Sequence, residues 1–204
     1  MFPSSLIDVR EKHNFNLNNL NLWLEKNLTS FGKIGLIKQF FGGQSNPTFF
    51  LSSDNGEKLI LRKKPPGKLL PSAHAIEREY KVQKALYNTS VPCPKMIALC
   101  EDSNIIGTPF YLMEYIEGNV SDSILEVKNV ALRKNIFIKM AIMLANLHNI
   151  SFEKAGLSDF GRPGNYAQRQ ISRWEKQWNL SKQRVLPEMD KIIIWLKKIF
   201  LQNV

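Results

Sequence analysis

Three features of the sequence could do chemistry on a phosphate. Gly42-Gly43 is followed by Gln44, Ser45 and Asn46 between two candidate strands. Paired glycines let a backbone come close to an anion and turn several N–H groups towards it. Arg62 closes the apolar run Leu59-Ile60-Leu61 and so stands at a strand end, and Glu79 falls two turns into a helical pattern beside Glu77 and Arg78. A strand-end cation that reaches nucleotide phosphates, and a helix carboxylate that orients it, recur in sites of phosphoryl transfer. Taken singly, Gly42-Gly43 reads as a plain hairpin turn, and the charges as a solvated strand end and helix face. Strand alternation puts Arg62 and Lys64 on one face and Lys63 on the other, which makes Arg62 the first choice for the cation and Lys64 the second.

The elements that must position these residues follow from periodicity. Leu17, Leu20, Leu24 and Leu28 share a helical spacing over residues 16–28, with Asn16 or Asn18 as cap. Strands are expected over 33–41, 48–53 and 57–63, with Asn55-Gly56 supplying the positive φ angles of a tight hairpin between the last two. A helix over 72–87, starting near Ser72, shows its apolar face through Ala75, Ile76, Tyr80, Val82, Ala85 and Leu86. Two further strands are expected over 96–100 and 110–115, and Glu117-Gly118 turns the chain out of the sheet. Helices at 127–149, 166–180 and 187–201 follow. The expected organisation is a helical segment at 1–32, a lobe at 33–117 and a partial helical lobe at 118–204.

Composition narrows the classes. With 44% hydrophobic and 23% charged residues in 204, the chain can bury a core of one large domain or two small lobes. Cys93 and Cys100 are seven apart with no His or acidic cluster at metal-ligand spacing around them, so neither a zinc site nor a disulfide framework is expected. No run reaches the ~20 apolar residues of a membrane span, and Met1 to Val9 has neither a basic start nor a long apolar core. The expectation is a cytoplasmic protein with no membrane partner. The net charge of +10 favours anionic ligands such as ATP or a CoA ester. It also supports a second reading, a basic nucleic-acid-binding protein with steeply salt-dependent affinity. The lysines are scattered among Asn and Ile, as a compositional bias would leave them, which makes nucleic acid the weaker reading.

Read together, the segments 42–49, 61–74, 76–80, 91–94, 106–114 and 156–166 resemble the aminoglycoside phosphotransferase family. Among them are Gly42-Gly43-Gln44-Ser45-Asn46-Pro47-Thr48-Phe49, Leu61-Arg62-Lys63-Lys64-Pro65-Pro66-Gly67 and Gly156-Leu157-Ser158-Asp159-Phe160-Gly161. The resemblance runs over residues about 33 to 195. It is narrower to the branch whose kinase-like domain also occurs fused in front of acyl-CoA dehydrogenase domains. It implies an α+β, protein-kinase-like fold. A five-stranded antiparallel N-lobe with one main helix would be followed by the first helices of an incomplete α-helical C-lobe. It implies ATP with its phosphates under Gly42, Gly43, Gln44, Ser45 and Asn46 and near Arg62, held by Glu79. The base would meet the Glu114 carbonyl and the Ile116 amide.

The family's catalytic loop carries His-Gly-Asp and a following Asn, with a later Asp for the metals, and this sequence contains no His-Gly-Asp. Asp159-Phe160-Gly161 copies the letters of a magnesium motif but belongs to the segment ahead of a helix. His148 reads as packing or capping at a helix end, and His74 as a solvated start of the helix that carries Glu79. Arg162, Arg169 and Arg173 read as solvated charges, and Trp174, Trp178 and Trp195 as packing residues. The expectation is therefore a small-molecule kinase that moves the ATP γ-phosphate to a hydroxyl. In this chain it would be truncated and inactive alone, with no catalytic or metal residue of its own. Mg2+ would serve the complete domain, whose acceptor would be a hydroxylated metabolite or a hydroxyacyl-CoA. A non-catalytic nucleotide-binding module is the alternative. Ile136, Met140, Met143, Leu144 and Leu147 would form an apolar face for a separate chain supplying the missing C-lobe.

Overall fold

Alternating residues on two adjacent strands, Thr48–Ser53 (β3) and Lys58–Lys63 (β4), send their side chains to opposite faces of one sheet. Phe49, Leu51, Leu59 and Leu61 point one way and are buried there with Leu20, Leu24, Phe31, Phe110 and Leu112. The other face carries Arg62 and Tyr111 and a smaller cluster of Ile76, Met96 and Tyr111. The computed structural model describes residues 6–42, 45–67, 74–118, 126–161 and 164–201. Gly43, Gln44, Ser72 and Arg162 lie outside the described residues.

The sheet is antiparallel throughout, in the order β1-β2-β3-β4-β6-β5. Its remaining strands are β1 (Leu6–Ile7), β2 (Ile34–Phe40), β5 (Met96–Cys100) and β6 (Phe110–Glu114). Six strands replace the five expected. The additional strand, β1, has only two residues, too few for an alternation to register, and pairs with Phe40 and Gln39 at the sheet edge.

Helix α1 (Leu17–Asn27) starts at Asn16, whose side chain accepts from the N–H groups of Asn18 and Asn19, and it buries Leu20 and Leu24 against the larger core. Helix α2 (Ile76–Leu86) packs on the opposite face against β5 and β6. Its cap position, Ala75, makes no side-chain cap bond, and the helix begins later than the sequence pattern indicates. A single-turn helix, α3 (Ser103–Ile106), is capped by Asp102.

The β3–β4 turn also differs from expectation. Only Gly56 has a positive φ, of 86°. The Gly56 N–H donates to the Ser53 carbonyl and the Ser53 N–H to the Glu57 carbonyl, giving a three-residue loop with glycine in the left-handed position. Asn55 contributes through its side chain, which accepts from the Glu57 N–H and the Ser53 hydroxyl.

The chain forms two compact units, Met1–Leu157 and Ser158–Val204. The first includes helix α4 (Val130–His148), capped by Asn129, which has no buried residue. Its apolar side chains run all round the helix, with Phe137, Ile138, Met140, Ile142, Leu144 and Leu147 all exposed. In the second unit, α5 (Tyr166–Ser181) and α6 (Pro187–Leu201) are tied by Lys197 Nζ at 2.6 Å from Glu175 Oε1. Trp174 and Trp195 are exposed, so of the three tryptophans read as packing residues only Trp178 is partly covered. Among the described residues no helix is long and apolar enough to cross a membrane.

The N-terminal segment is held by a buried amide. Gln39 Oε1 accepts from the Arg10 N–H at 3.1 Å, so its Nε2 faces His13 Nδ1 at 2.9 Å and that ring nitrogen must accept. A protonated ring could keep this bond only by turning the amide over, setting Nε2 against the Arg10 N–H. Burial lowers the His13 pKa from 6.5, and the positive charges of Lys12, Arg10 and Lys63 push the same way. The folded pKa lies below the unfolded one, so the neutral ring stabilises the fold above the unfolded value. That contribution is lost as pH falls through the depressed value. Urea unfolding between pH 7 and pH 5 is expected to show a steeper loss of stability in the wild type than in His13→Gln. Identical pH profiles would rule this linkage out.

Candidate functional site

Antiparallel register sets Arg62 of β4 between Thr48 of β3 and Tyr111 of β6. These three side chains share the sheet face on which α2 packs, and the first turn of α2 brings Glu79 over them. Arg62 Nε lies 2.8 Å from Glu79 Oε2. Its Nη1 donates to Thr48 Oγ1 at 2.9 Å and to the Asn46 carbonyl at 3.3 Å. Nothing among the described residues accepts from Nη2, which leaves one end of the planar fork for an external oxyanion.

Glu79 has two further donors. Asn46 Nδ2 reaches its Oε1 at 2.8 Å, and the Tyr111 hydroxyl reaches Oε2 at 3.2 Å. Burial and the charge of Glu79 push the Tyr111 pKa up to about 12, so the phenol stays protonated and donates. Gln83, one turn further along α2, donates to the same hydroxyl at 3.3 Å. Asn46 is 2% exposed, and its remaining amide oxygen faces His74 Nδ1 at 3.1 Å.

Of the residues singled out from the sequence, the structure brings Asn46, Arg62 and Glu79 into one network. Ser45 is exposed beside Asn46. A Cβ built on Gly42 would meet nothing within 4 Å, so no protein atom demands glycine there. Glu114 lies on β6 three residues beyond Tyr111, about 10 Å along the strand. Its side chain accepts from the Lys95 N–H and its own N–H donates to the Lys95 carbonyl. Ile116 follows the strand with an exposed side chain, and among the described residues its N–H has no partner.

The other cations take different roles. Lys64 pairs with Glu77 at 3.0 Å. Lys63 is buried on the opposite face, with its Nζ 4.9 Å from the centroid of the Phe15 ring, and burial lowers its pKa. His74 is not inside α2: it precedes the helix by two residues, with φ of 57°. Thr48, Tyr111, Gln83 and His74 were not read from the sequence as parts of this site. For Thr48 and Tyr111 a signal existed, since a hydroxyl on an otherwise apolar strand needs a partner when buried.

The sequence profile of the phosphotransferase enzyme family (APH) matches residues 36–199. The chain is 39% identical over 197 residues to acyl-CoA dehydrogenase family member 11 of Rattus norvegicus, covering 94% of this chain and 25% of that protein. It superposes with a TM-score of 0.66 on a candidate aminoglycoside phosphotransferase from Ralstonia eutropha, at 40% identity, covering 91% of this chain and 54% of the other. A third likeness is to the GDP complex of aminoglycoside 2'-phosphotransferase-IIIa. There the TM-score is 0.57 and the identity 16%, over 90% of this chain and 58% of that one. The chain thus spans about a quarter of the rat relative and about half of the Ralstonia structure.

A network this enclosed makes a graded prediction. Asn46→Ala removes a buried amide that donates to the partly exposed Glu79 carboxylate and accepts from His74, and should cost about 2–3 kcal/mol, whereas Tyr111→Phe should cost about 1 kcal/mol. Urea unfolding of the two variants measures both. An Asn46→Ala variant as mild as Tyr111→Phe would show that Glu79 does not depend on the amide.

Proposed function

The chain belongs to the phosphotransferase enzyme family, with its protein-kinase-like α+β fold, and we propose that it holds ATP for transfer of the γ-phosphate to a hydroxyl of a small molecule. The observation that carries this reading is Arg62. Its guanidinium is fixed at Nε by Glu79 and at Nη1 by Thr48 and the Asn46 carbonyl, while among the described residues nothing accepts from Nη2, which suits a phosphate oxygen. A cation held in this way loses little freedom when an anion arrives.

The open space at Gly42 suits close approach of a phosphate to the backbone there. The Ile116 N–H, without a partner among the described residues and just past the end of β6, suits the base. When bound, ATP supplies the phosphoryl group and the leaving diphosphate. This chain binds it, orients it and offsets its charge. Magnesium would arrive as the nucleotide's counter-ion, since among the described residues no three His, Cys, Asp or Glu side chains converge on one point. The Asp that accepts the hydroxyl proton in this family has no counterpart motif in the sequence. The catalytic loop is therefore not among these residues, which supply the nucleotide-holding lobe. The bare α4 is the surface suited to the segment that carries that loop, because a helix apolar on every side is stable only when covered. The branch resemblance points to a hydroxylated metabolite, a hydroxyacyl-CoA among them, as the acceptor.

Calorimetric titration of ATP with magnesium into the purified chain and its Arg62→Ala variant tests the reading. Saturable binding is expected, weakened at least about tenfold in the variant by loss of a charged hydrogen bond. A folded chain that takes up no nucleotide, or a variant that binds as well as the wild type, would refute it.

A further inference from the structure

A carboxylate only accepts hydrogen bonds, so the face of the Asn46 amide at Glu79 Oε1 must be its nitrogen. Its oxygen is thereby turned to His74, 3.1 Å from Nδ1. That ring nitrogen must then carry the hydrogen. The opposite amide orientation would set an oxygen against the carboxylate and an N–H against the Nδ1 hydrogen. His74 makes this contact from a left-handed backbone, φ 57°, which a non-glycine residue adopts at a cost. Asn46 itself is 2% exposed, so water does not compete for its amide.

We propose that His74 is a positioning residue for the phosphate-binding cation. The Nδ1 hydrogen fixes the Asn46 amide, the amide fixes Glu79, and Glu79 aims Arg62. The connection to phosphate rests on the nucleotide reading above, but the chain of four side chains does not. Asn46 does double duty in this arrangement, since its carbonyl also accepts from Arg62 Nη1. Misplacing the residue therefore disturbs the guanidinium at two points.

Two variants separate this role from packing. His74→Gly accepts the left-handed backbone and removes the ring. His74→Asn also tolerates a positive φ and keeps an N–H donor where Nδ1 stood. In 15N-labelled full-length chain, the Arg62 Nε–H and Asn46 Nδ2 signals report the network directly, and dispersion of the remaining signals reports folding. In His74→Gly the Arg62 Nε–H signal is expected to shift and exchange faster, and the MgATP dissociation constant to rise about tenfold. In His74→Asn both should return to within about twofold of the wild type. An unchanged Arg62 signal in a folded His74→Gly chain overturns the proposal, as does equal impairment of the two variants. If the signal responds as expected in a chain that binds no nucleotide, the positioning role stands and the nucleotide reading falls.

Discussion

A carboxylate pressed against a sheet must collect donors or be expelled to water. Glu79 collects three, from Arg62, Asn46 and Tyr111. They come from the loop before β3, from β4 and from β6, so one side chain of α2 ties the helix to three separate stretches of chain. The apolar cluster on this side of the sheet is small, with Ile76, Met96 and Tyr111 at its centre. The placement of α2 therefore depends on the charged network as much as on burial. The same network holds the guanidinium in position, which makes the docking of the helix and the readiness of the site one property.

Two buried amides, each bonded to a histidine, work in opposite senses. Gln39 gives its nitrogen to His13, so that ring has to remain neutral at Nδ1. Asn46 gives its oxygen to His74, so that ring donates from Nδ1 whether or not its other nitrogen is protonated. The first contact holds the N-terminal segment only while the ring is neutral, and the second is indifferent to the ring's charge. A site meant to receive a polyanion benefits from the second kind of support, because an approaching negative charge does not undo it.

Strand alternation makes the division between Arg62 and Lys63 legible in the sequence, and helical spacing marks the helix that carries Glu79. The rest of the site lay beyond periodic signals. Asn46 sits in a loop after two glycines, where nothing in the pattern says which way an amide turns. His74 owes its place to a single positive φ, and the start of α2 was read too early because no cap bond marks it. The two-residue β1 and the four-residue α3 are too short to show a period. The tryptophans of α5 and α6 have the spacing of a packed stripe, yet Trp174 and Trp195 remain exposed. Spacing reports an amphipathic face, and whether a neighbour covers that face is a tertiary fact.

Arg62 and Lys63 are adjacent cations on opposite faces, one clamped and partly exposed, the other sunk over an aromatic ring. Which of them meets Glu79 depends on the pairing of β3 with β4, and that pairing is held in part by the three-residue loop closed by Gly56. A single residue gained or lost in that loop would slide one strand past the other and exchange the faces of every side chain on it. The lysine would come up beneath the carboxylate and the arginine would go down into the core. Loop length at this hairpin, far from any ligand, is thus a hidden coordinate of the site, and a chain with these same residues could lose the arrangement through an insertion that touches none of them.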